Sequence, residues 1–451
     1  MVRWIGALAV IGGCLAARPA WSEEAAPVAE GAAEKEAAQA EAAKQEEYYE
    51  LYKVFADSLD QIERNYVQDV SRRDLIDAAI KGMLSKLDPY SNYIPPEEVT
   101  QFKSQVESQF TGVGMQVTVE GGKLKVLSPL VGTPAYRAGI HAGDIITHIE
   151  GQPTEGTTVD DAVRKLKGQA DTEVKITVLQ PPQAEPRQIT LKREVIHVET
   201  VLGDHRKADD TWDFFIDAEK KIAYIRIMSF ARETARDLAA ALKQLEAEKV
   251  KGLVIDLRFN PGGLLSSAVE ISDLFVAEGL IVSTEGRNVP KRSYQAHKAG
   301  TYEGFPIAVL VNGFSASASE ILAACLQDHK RAVIVGERSF GKGSVQNVID
   351  LEEGKSVLKL TTAGYHRPNG KNIHKLPGAK DEDEWGVQPD EGYAVKVSDE
   401  DNRRIFRERS ERGMLKATSD PAVPPAAPAA IQDAPLQKAI DYLSTELAKA
   451  P

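Results

Sequence analysis

The stretch NGFSASASEILAACLQDHKRAVIVGERSFGKGSVQ, residues 312–346, carries the signals of a helix, a buried strand and a glycine-rich turn in succession. Ser317 and Glu320 form the S-x-x-E pattern of a capping box, which predicts that a helix begins near Ser317. Apolar residues follow at helical spacing, and residues 332–335 then read as a short buried strand. The strand ends in the turn GERSFGKG, residues 336–343, so a serine opens this unit and a lysine closes it.

Ser317 and Lys342 are residue types that can do chemistry together. A serine at a helix N-terminus lies where exposed N–H groups and the positive end of the helix dipole favour a developing oxyanion. A lysine that follows an apolar strand can be desolvated, and burial disfavours its charged form. A neutral lysine can accept the proton of a serine hydroxyl. Taken singly, Ser317 is equally explained as a helix cap, and Lys342 as a surface lysine.

Residues 336–342 also fit GxxxxGK, the start of a phosphate-binding loop. Gly343 stands where such a loop has the Ser or Thr that binds magnesium. The following SVQNVIDL reads as a strand, whereas a phosphate-binding loop opens a helix. Both features argue against nucleotide binding at this turn.

These residues resemble the carboxy-terminal processing proteases, also called tail-specific proteases. In that family a serine in an A-S-A-S-E run is the nucleophile, a lysine in a G-K-G turn is the general base, and a glutamine follows the lysine. Ser317, Lys342 and Gln346 match this pattern, with Lys342 twenty-five positions after Ser317. The resemblance covers residues from about 48 to 395 and implies a serine endopeptidase that needs no cofactor.

The composition is that of a soluble protein, and its charge excludes one class of partner. The chain has 451 residues, enough for two or three domains, of which 42% are hydrophobic and 27% charged. The net charge of −12 is not offset by a basic block, which argues against nucleic acid as a partner. The histidines do not show the spacing of a metal site such as HExxH.

Residues 1–22 read as a secretory signal peptide, with Arg3 before an apolar stretch and small residues before Glu23. Cys14 offers an alternative, processing as a membrane-associated lipoprotein. Both alternatives predict an exported protein, periplasmic or extracellular. After removal of the leader Cys325 is the remaining cysteine, so no internal disulfide is expected.

Residues 109–194 resemble a PDZ domain, most clearly in PLVGTPAYRAGIHAGDIITHIEG, residues 129–151. Residues 158–166 read as the helix beside a peptide groove. The candidate carboxylate-binding turn consists of Gly112, Val113, Gly114 and Met115, because glycines allow successive N–H groups to face an anion. The domain predicts binding of polypeptides with a free, apolar C-terminus.

Between residues 222 and 275, strand and helix patterns alternate, which implies a largely parallel core sheet. The predicted fold class is an α/β protease core with a mixed, largely parallel sheet and flanking helices, an inserted α+β PDZ domain, and helical N- and C-terminal regions. The predicted organisation is a signal peptide (1–22), a disordered or loosely helical spacer (23–46), a helical region (47–108), a PDZ domain (109–194), a protease core (195–398), and a C-terminal part (399–451) with a charged helix, a Pro/Ala linker and a final helix. The terminal helices are candidates for homo-oligomer contacts, and a protein activator is an open alternative.

The resemblance also implies an oxyanion hole formed by the Gly262 and Ala318 N–H groups. Gly262 lies in RFNPGG, at the carboxyl end of a predicted strand, where α/β proteins place ligand sites. Asp328 matches an acidic position sometimes grouped with the family's active site. It lies three helical turns beyond Ser317, about 16 Å along the helix axis. Asp328 is therefore expected to act through another residue of the site, or to form a charge tether to Lys330 or Arg331.

The position of Gln346 does not fit direct contact with Lys342, because in a regular strand the two residues would lie roughly 13 Å apart. It can orient the lysine only if the chain bends at Gly343 or makes a helical turn there. Nearby, Arg367 departs from the family's usual Y-x-T-P-x-G, and the acidic insertion AKDEDEW follows at residues 379–385. The sequence thus predicts a serine endopeptidase that cleaves exported proteins near their C-termini. An inactive PDZ scaffold on a protease-like core is the alternative.

Overall fold

The protein is described by a computed structural model over residues 30–181, 185–415 and 432–449. The predicted signal peptide with Cys14 and the predicted Pro/Ala linker at residues 419–430 lie outside these residues. The chain forms two compact units, residues 1–80 and 81–451. No helix in the described ranges is long and apolar enough to cross a membrane.

The N-terminal region is helical. It contains α1 (Glu30–Asn65), α2 (Arg72–Leu84), β1 (Asn92–Ile94) and α3 (Pro96–Val106). The helix α1 begins inside the stretch that the sequence predicts to be a disordered or loosely helical spacer, and residues 30–46 are helical. Their composition explains this, because Ala, Glu, Lys and Gln are strong helix formers even without an apolar stripe.

The next part has the PDZ elements in the predicted order. They are β2 (Gln109–Gly112), β3 (Met115–Glu120), β4 (Lys123–Pro129), α4 (Pro134–Arg137), β5 (Ile145–Ile149), β6 (Gln152–Pro153), α5 (Val159–Leu166), β7 (Glu173–Leu179), β8 (Arg187–Lys192) and β9 (Glu194–His197). The main sheet has the order β3-β4-β5-β7-β8, so β3 is an edge strand. The entry and exit strands β2 and β9 pair antiparallel and close the domain.

The remaining elements form the protease-like core and the C-terminal helices. They are β10 (Val201–Leu202), β11 (His205–Arg206), β12 (Trp212–Asp213), β13 (Phe215–Asp217), β14 (Ile222–Ile227), α6 (Thr234–Ala247), β15 (Gly252–Asp256), α7 (Leu265–Asp273), β16 (Gly279–Gly286), β17 (Val289–Ala296), β18 (Ile307–Val311), α8 (Ala318–Asp328), β19 (Ala332–Gly336), β20 (Ser344–Leu351), a 3₁₀ turn (Glu352–Gly354), β21 (Ser356–His366), α9 (Asp399–Arg412) and α10 (Ala434–Lys449).

A six-stranded mixed sheet forms the centre of the core. Its strands β14, β15, β18 and β19 are parallel, while β10 and β13 pair antiparallel with β14. One face packs against α6, α7 and α8, and the other packs against α10. Because both faces are covered, β14, β15 and β18 are buried along their whole length. The predicted fold class is confirmed, and the final helix lies on the sheet of its own chain.

A second, antiparallel sheet carries the turn that contains the lysine. Its strands run in the order β1-β21-β16-β17, and β20 also pairs with β21. The hairpin β20–β21 begins directly after Gly343, while β1 brings a strand from the N-terminal region to the same β21. Residues from three distant stretches of sequence therefore meet around the lysine turn.

Candidate active site

The serine predicted as nucleophile lies at the sharp turn between β18 and α8. Ser317 has φ 57° and ψ −113°, in a region that non-glycine residues rarely occupy. The preceding loop is fixed, because Ser315 Oγ donates to the Leu257 carbonyl oxygen at 2.8 Å and the Ala316 N–H donates to the Asn260 carbonyl oxygen at 3.0 Å. Strain of this kind persists only where the surrounding structure imposes it, and it is concentrated at functional sites.

Glu320 joins the start of α8 to the turn that carries the lysine. Its side chain is fully buried. Oε2 accepts hydrogen bonds from the N–H groups of Ser317 and Lys342, both at 2.8 Å. Oε1 accepts from the Gly341 N–H at 2.7 Å and from the Ser339 hydroxyl at 2.5 Å. Burial raises the pKa of Glu320, and these four hydrogen bonds act against that rise. The predicted capping box is present, and its carboxylate also holds the lysine turn.

Tyr365 on β21 makes a second bridge between the two predicted catalytic residues. Its hydroxyl oxygen lies 3.1 Å from the Ser317 carbonyl oxygen and 2.6 Å from the Lys342 carbonyl oxygen. The ring is buried in the core. The backbones of Ser317 and Lys342 are thus held together from two sides. Their side chains make no hydrogen bond to each other in the part of the chain that is described. Catalytic hydrogen bonds often tighten only when substrate is bound.

The Lys342 side chain is partly buried next to the ring of Tyr90. Burial lowers the pKa of Lys342 from its ordinary value, and the positive charge of Lys359 lowers it further. The carboxylates of Glu320 and Asp88 act in the opposite direction. Among described residues Lys342 Nζ has no ion pair, and it lies 4.8 Å from the centroid of the Tyr90 ring. A lysine with a lowered pKa is a candidate general base.

Two contacts of the lysine turn come from residues to which the sequence assigned no role. Tyr90 belongs to the stretch LDPYSNYI, residues 87–94, in the helical region. His374 Nδ1 accepts a hydrogen bond from the Gly343 N–H at 3.2 Å, which requires that a neutral ring carry its proton on Nε2. Burial lowers the pKa of His374, and its ring meets Tyr90 edge-on at 6.2 Å between centroids. No local pattern in the sequence signals these contacts, because only tertiary packing creates them.

The acidic insertion packs against the same turn. A Cβ on Gly341 would lie 2.8 Å from Lys375 Cβ and 2.9 Å from Trp385 Cε3, so no side chain fits there. Trp385 itself lies between two cations, with Lys375 Nζ at 4.1 Å and the Arg338 guanidinium at 4.2 Å from its ring. The insertion therefore supports the lysine turn from outside.

The two predicted oxyanion donors differ, because among the described residues one N–H group has no acceptor and the other is occupied. Gly262 has φ 97°, and a Cβ there would lie 2.6 Å from the Ala316 carbonyl oxygen and 2.8 Å from Ser317 Cβ. Only glycine fits this close approach. The Ala318 N–H has no acceptor within the described ranges. The Gly262 N–H donates to Asn260 Oδ1 at 2.8 Å, so in this conformation it does not point to an oxyanion.

Gln346 does not reach Lys342 in this structure. Its amide donates to Ser344 Oγ at 2.9 Å and to Thr361 Oγ1 at 3.3 Å, within the hairpin β20–β21. The register shifts between Val345 and Gln346, but the segment remains a strand and makes no helical turn. The chain therefore makes no helical turn that would bring Gln346 to Lys342, and a direct role of Gln346 toward Lys342 stays a prediction.

Asp328 pairs with Arg367 rather than with Lys330 or Arg331. The Arg367 guanidinium donates to both carboxylate oxygens, at 2.9 Å and 2.7 Å, and the Asn369 side chain adds a hydrogen bond at 3.1 Å. The predicted charge tether to a neighbour on the same helix is wrong, because the neighbouring arginine turns to backbone carbonyl oxygens instead. Asp328 therefore holds the turn after β21 through Arg367 and Asn369.

The candidate carboxylate-binding turn of the PDZ domain lies between β2 and the edge strand β3. Gly114 has φ 75°, and a Cβ there would lie 2.3 Å from Thr133 Cβ. In the described chain the N–H groups of Val113 and Gly114 have no backbone acceptor. The Val113 side chain is 2% exposed and belongs to the domain core, so only its backbone can face a ligand, whereas Met115 is partly exposed beside the groove. Gly112 ends β2 and pairs with Glu194.

An apolar cleft of about 1210 Å³ opens beside the loop that contains Gly262. The Phe259 ring stacks on Phe314 at 5.5 Å and meets Phe406 of α9 edge-on at 5.1 Å. Pro261, the neighbour of Gly262, and Leu127 of the PDZ domain also line the cleft. Apolar surface therefore extends from the PDZ domain to the nucleophile loop. The described residues contain no cluster of His, Cys, Asp and Glu that could hold a metal ion.

Comparisons with known proteins agree with the three parts of the fold. Residues 221–392 match "Peptidase family S41", residues 125–180 match "PDZ domain", and residues 9–98 match "Activating protease CtpB N-terminal domain". The chain is 36% identical over 388 residues to a carboxy-terminal-processing protease of Bartonella bacilliformis, covering 82% of this chain and 84% of that protein.

Two further relatives are a sequence and a solved structure. Identity to the carboxy-terminal processing protease CtpB of Bacillus subtilis is 37% over 319 residues, which are 70% of this chain and 64% of that protein. A solved photosystem II D1 C-terminal processing protease is 29% identical with a TM-score of 0.42, covering 76% of this chain and 92% of that chain.

Proposed function

The chain belongs to the carboxy-terminal processing proteases, which are serine peptidases of family S41, and we propose that Ser317 and Lys342 form its catalytic dyad. The observation that carries this proposal is the buried Glu320 carboxylate, which binds the N–H groups of both residues. A protein that only bound peptides would not need a strained serine and a desolvated lysine held by one carboxylate. An inactive PDZ scaffold is therefore the weaker alternative.

In the proposed reaction Ser317 Oγ attacks the carbonyl carbon of the scissile peptide bond while neutral Lys342 accepts the hydroxyl proton. The negative charge that develops on the carbonyl oxygen is stabilised by the Ala318 N–H. The Gly262 N–H joins it once the substrate oxygen replaces Asn260 Oδ1 as its acceptor. The C–N bond then breaks, and the Lys342 ammonium returns its proton to the leaving amine. Water hydrolyses the acyl-enzyme with the same lysine as base.

Four variants test the dyad. Ser317→Ala removes the nucleophile and abolishes hydrolysis while the fold persists, because loss of an N-cap costs only about 1 kcal/mol. Lys342→Arg is equally inactive, since a guanidinium does not lose its proton at working pH. A serine-reactive phosphonate probe labels the wild type but not Ser317→Ala, with the exposed Ser293→Ala and Lys243→Arg as matched controls that keep full activity. Hydrolysis by Lys342→Arg would refute the lysine base.

We propose that substrates are polypeptides with a free, small or apolar C-terminal residue. An extended peptide can add to the edge strand β3 beside α5, and its carboxylate can accept the N–H groups of Val113 and Gly114. The apolar cleft at Phe259 and Phe314 suits apolar residues further along the substrate. A hydrogen bond to a charged group contributes about 1.5–3 kcal/mol, so a tail without the free carboxylate binds at least about tenfold more weakly.

The tail preference is measured with one unfolded polypeptide in three forms: free C-terminus, amidated C-terminus, and extension by Asp-Asp. We expect the free form to be cleaved at least about tenfold faster in kcat/KM than the other two. Equal rates would show that the PDZ domain does not select tails. The catalytic dyad would stand in that case, because a short peptide assay reports on it separately.

Localisation and assembly are further parts of the proposal. We propose export to the periplasm or the extracellular space through the leader at residues 1–22, with lipoprotein processing at Cys14 as the second route. The mass and lipid content of the mature protein distinguish the two. Tyr49 and Tyr52 of α1 are 68% and 74% exposed, which supports homo-oligomer contact through this helix. Light scattering of Tyr52→Glu against wild type tests that contact, while added candidate partners test for a protein activator.

A further inference from the structure

A short segment of the N-terminal region, residues 88–94, is folded against the lysine turn; we call it the tyrosine segment. Asp88 shapes it, because Oδ1 accepts the N–H groups of Tyr90 and Ser91 at 2.7 Å and 2.8 Å. Oδ2 accepts the Ser91 hydroxyl at 2.8 Å. Burial opposes ionisation of Asp88, but these hydrogen bonds keep its pKa below the ordinary value. The turn that carries Tyr90 is therefore built locally by a charged acceptor.

The tyrosine segment is anchored on the strand that also carries Tyr365. Its last residues form β1, which pairs antiparallel with β21 from Asn92 opposite Lys359 to Ile94 opposite Val357. Ser91 Oγ accepts the Thr361 N–H at 3.0 Å. The position of Tyr90 is thus fixed relative to the hairpin that begins at the lysine turn, although the two lie far apart in sequence.

Tyr90 presents its ring to the end of the Lys342 side chain. Nζ lies 4.8 Å from the ring centroid, within the range of a cation–π contact. The ring is half-buried, and its hydroxyl makes no hydrogen bond within the described ranges. Burial raises the pKa of Tyr90, so the phenol is neutral at working pH. The ring, rather than the hydroxyl, is the part of Tyr90 that meets the lysine.

We propose that Tyr90 is a positioning residue for Lys342, whose ring holds the ammonium that forms when Ser317 loses its proton. This inference rests on the proposed role of Lys342 as general base. The ring attracts the protonated lysine only, so it fixes Nζ during the interval between proton uptake and proton return. The tyrosine segment thereby makes part of the N-terminal region a component of the catalytic centre.

Other charged or titratable groups around Lys342 are on separate elements, and they set the background for a test. They are Asp88 on the tyrosine segment, Glu320 on α8, Lys359 and Tyr365 on β21, and His374 on the following loop. Substitution of Tyr90 leaves these five side chains in place, and His374, which meets the ring edge-on, loses that contact only in variants without a ring. A change in the pH profile after that substitution therefore reports on the ring.

The experiment compares Tyr90→Phe, Tyr90→Leu and Tyr90→Met with wild type. Phenylalanine keeps the ring, whereas leucine and methionine keep much of the bulk without it. For each variant kcat and kcat/KM are measured from pH 6 to 11 on one short peptide, and folding is checked by circular dichroism. Tyr66→Leu, an exposed tyrosine on the helical region, is the matched control.

We expect the phenylalanine variant to keep the wild-type midpoint of the rising pH limb. In the leucine and methionine variants the midpoint moves about one pH unit lower, because the attraction that favoured the ammonium is gone. Their plateau kcat falls by about tenfold or more, since the lysine is no longer held for proton return. The inference is overturned if the midpoint stays at the wild-type pH in both ringless variants, or if the phenylalanine variant loses as much kcat as they do.

Failure of this inference can be told from failure of the dyad. Lys342→Met removes the base and is measured in the same series. If that variant is inactive while the ringless variants keep the wild-type midpoint, the dyad stands and the role of Tyr90 is refuted. If Lys342→Met hydrolyses the peptide, both the dyad and the role of Tyr90 are refuted.

Discussion

Replacement of Glu320 by Gln would remove a charge and half of the acceptors at the point where α8 meets the lysine turn. The carboxylate accepts four hydrogen bonds, from Ser317, Ser339, Gly341 and Lys342. A carboxamide oxygen accepts about two of them, and its NH₂ group faces the other two donors. Whichever way the glutamine turns, two donors in a buried site lose their partner.

The expected loss of stability follows from these contacts. A hydrogen bond to a charged group contributes about 1.5–3 kcal/mol, so loss of two predicts roughly 3–6 kcal/mol. Burial raises the pKa of Glu320, which means that the ionised carboxylate carries a desolvation cost that glutamine lacks. This difference moves the expected loss to the lower end, about 3 kcal/mol. The total free energy of unfolding of a domain is about 5–15 kcal/mol, so the variant still folds.

The same substitution should impair catalysis in two measurable ways. A displacement of about 1 Å between reacting groups costs roughly a hundredfold in rate, so kcat/KM should fall by about that factor. The Glu320 carboxylate favours the charged form of Lys342, so its loss should lower the pKa of that lysine further. The rising limb of the pH profile should therefore move to lower pH.

Stability is measured by urea unfolding of Glu320→Gln in the Ser317→Ala background, which prevents self-cleavage, and activity by the pH dependence of kcat/KM. Glu270→Gln on α7 is the matched control, because it makes the same chemical change at an exposed position. A loss below about 1 kcal/mol together with an unchanged kcat/KM would refute the idea that one carboxylate organises both catalytic residues.

Three further predictions concern single side chains. Because the pKa of Lys342 is lowered in the folded state, kcat/KM should rise with pH through a midpoint below the ordinary lysine value. Lys342→Met should be more stable than wild type near neutral pH, since it avoids burial of a charged ammonium. Urea unfolding should show this gain in stability disappearing as the pH rises toward about 10.4, where the unfolded lysine also loses its proton. Asp328→Asn and Arg367→Gln should each lower the free energy of unfolding by about 3 kcal/mol, and the double variant should lose much less than the sum of the two, as a double-mutant cycle checks. Each substitution should change kcat less than about tenfold. Gln346→Ala should retain more than about a tenth of wild-type kcat, since its hydrogen bonds stay within the hairpin, and a fully inactive variant would show that it reaches the lysine in the substrate complex.

The parts of the fold that periodic patterns encode could be predicted from the sequence. The buried strand Ala332–Gly336 lies where the sequence places it, to within one residue, and the helix after Ser317 begins where the capping box places it. These signals are local, because side-chain period and helix caps depend on residues a few positions apart. Residues 30–46 are helical, which is one of the two alternatives that the sequence leaves open, and helix propensity accounts for it without an apolar stripe.

The candidate site was less accessible to such reasoning. The sequence singled out Ser317 and Lys342, but it gave no account of what holds them together. Glu320 reads as half of a capping box, and nothing in the sequence tells that its two oxygens also accept the N–H groups of a turn beyond the next strand. The Asp328 partner was missed likewise, because a helix suggests neighbours at three or four positions, whereas Arg367 comes from the turn after β21.

Each contact that could not be predicted from the sequence joins a rigid local motif to a segment that is distant in the chain. Glu320 and Tyr365 fix backbones, and these leave the side chains of Ser317 and Lys342 free to move protons. Tyr90 meets the lysine through an aromatic face, a contact that leaves the Nζ protons free to reach the serine and the leaving amine. A general base that must gain and return a proton in each cycle is better held in this way than by a carboxylate, since an ion pair would favour the ammonium more strongly than the ring does and would raise the pKa that burial lowers.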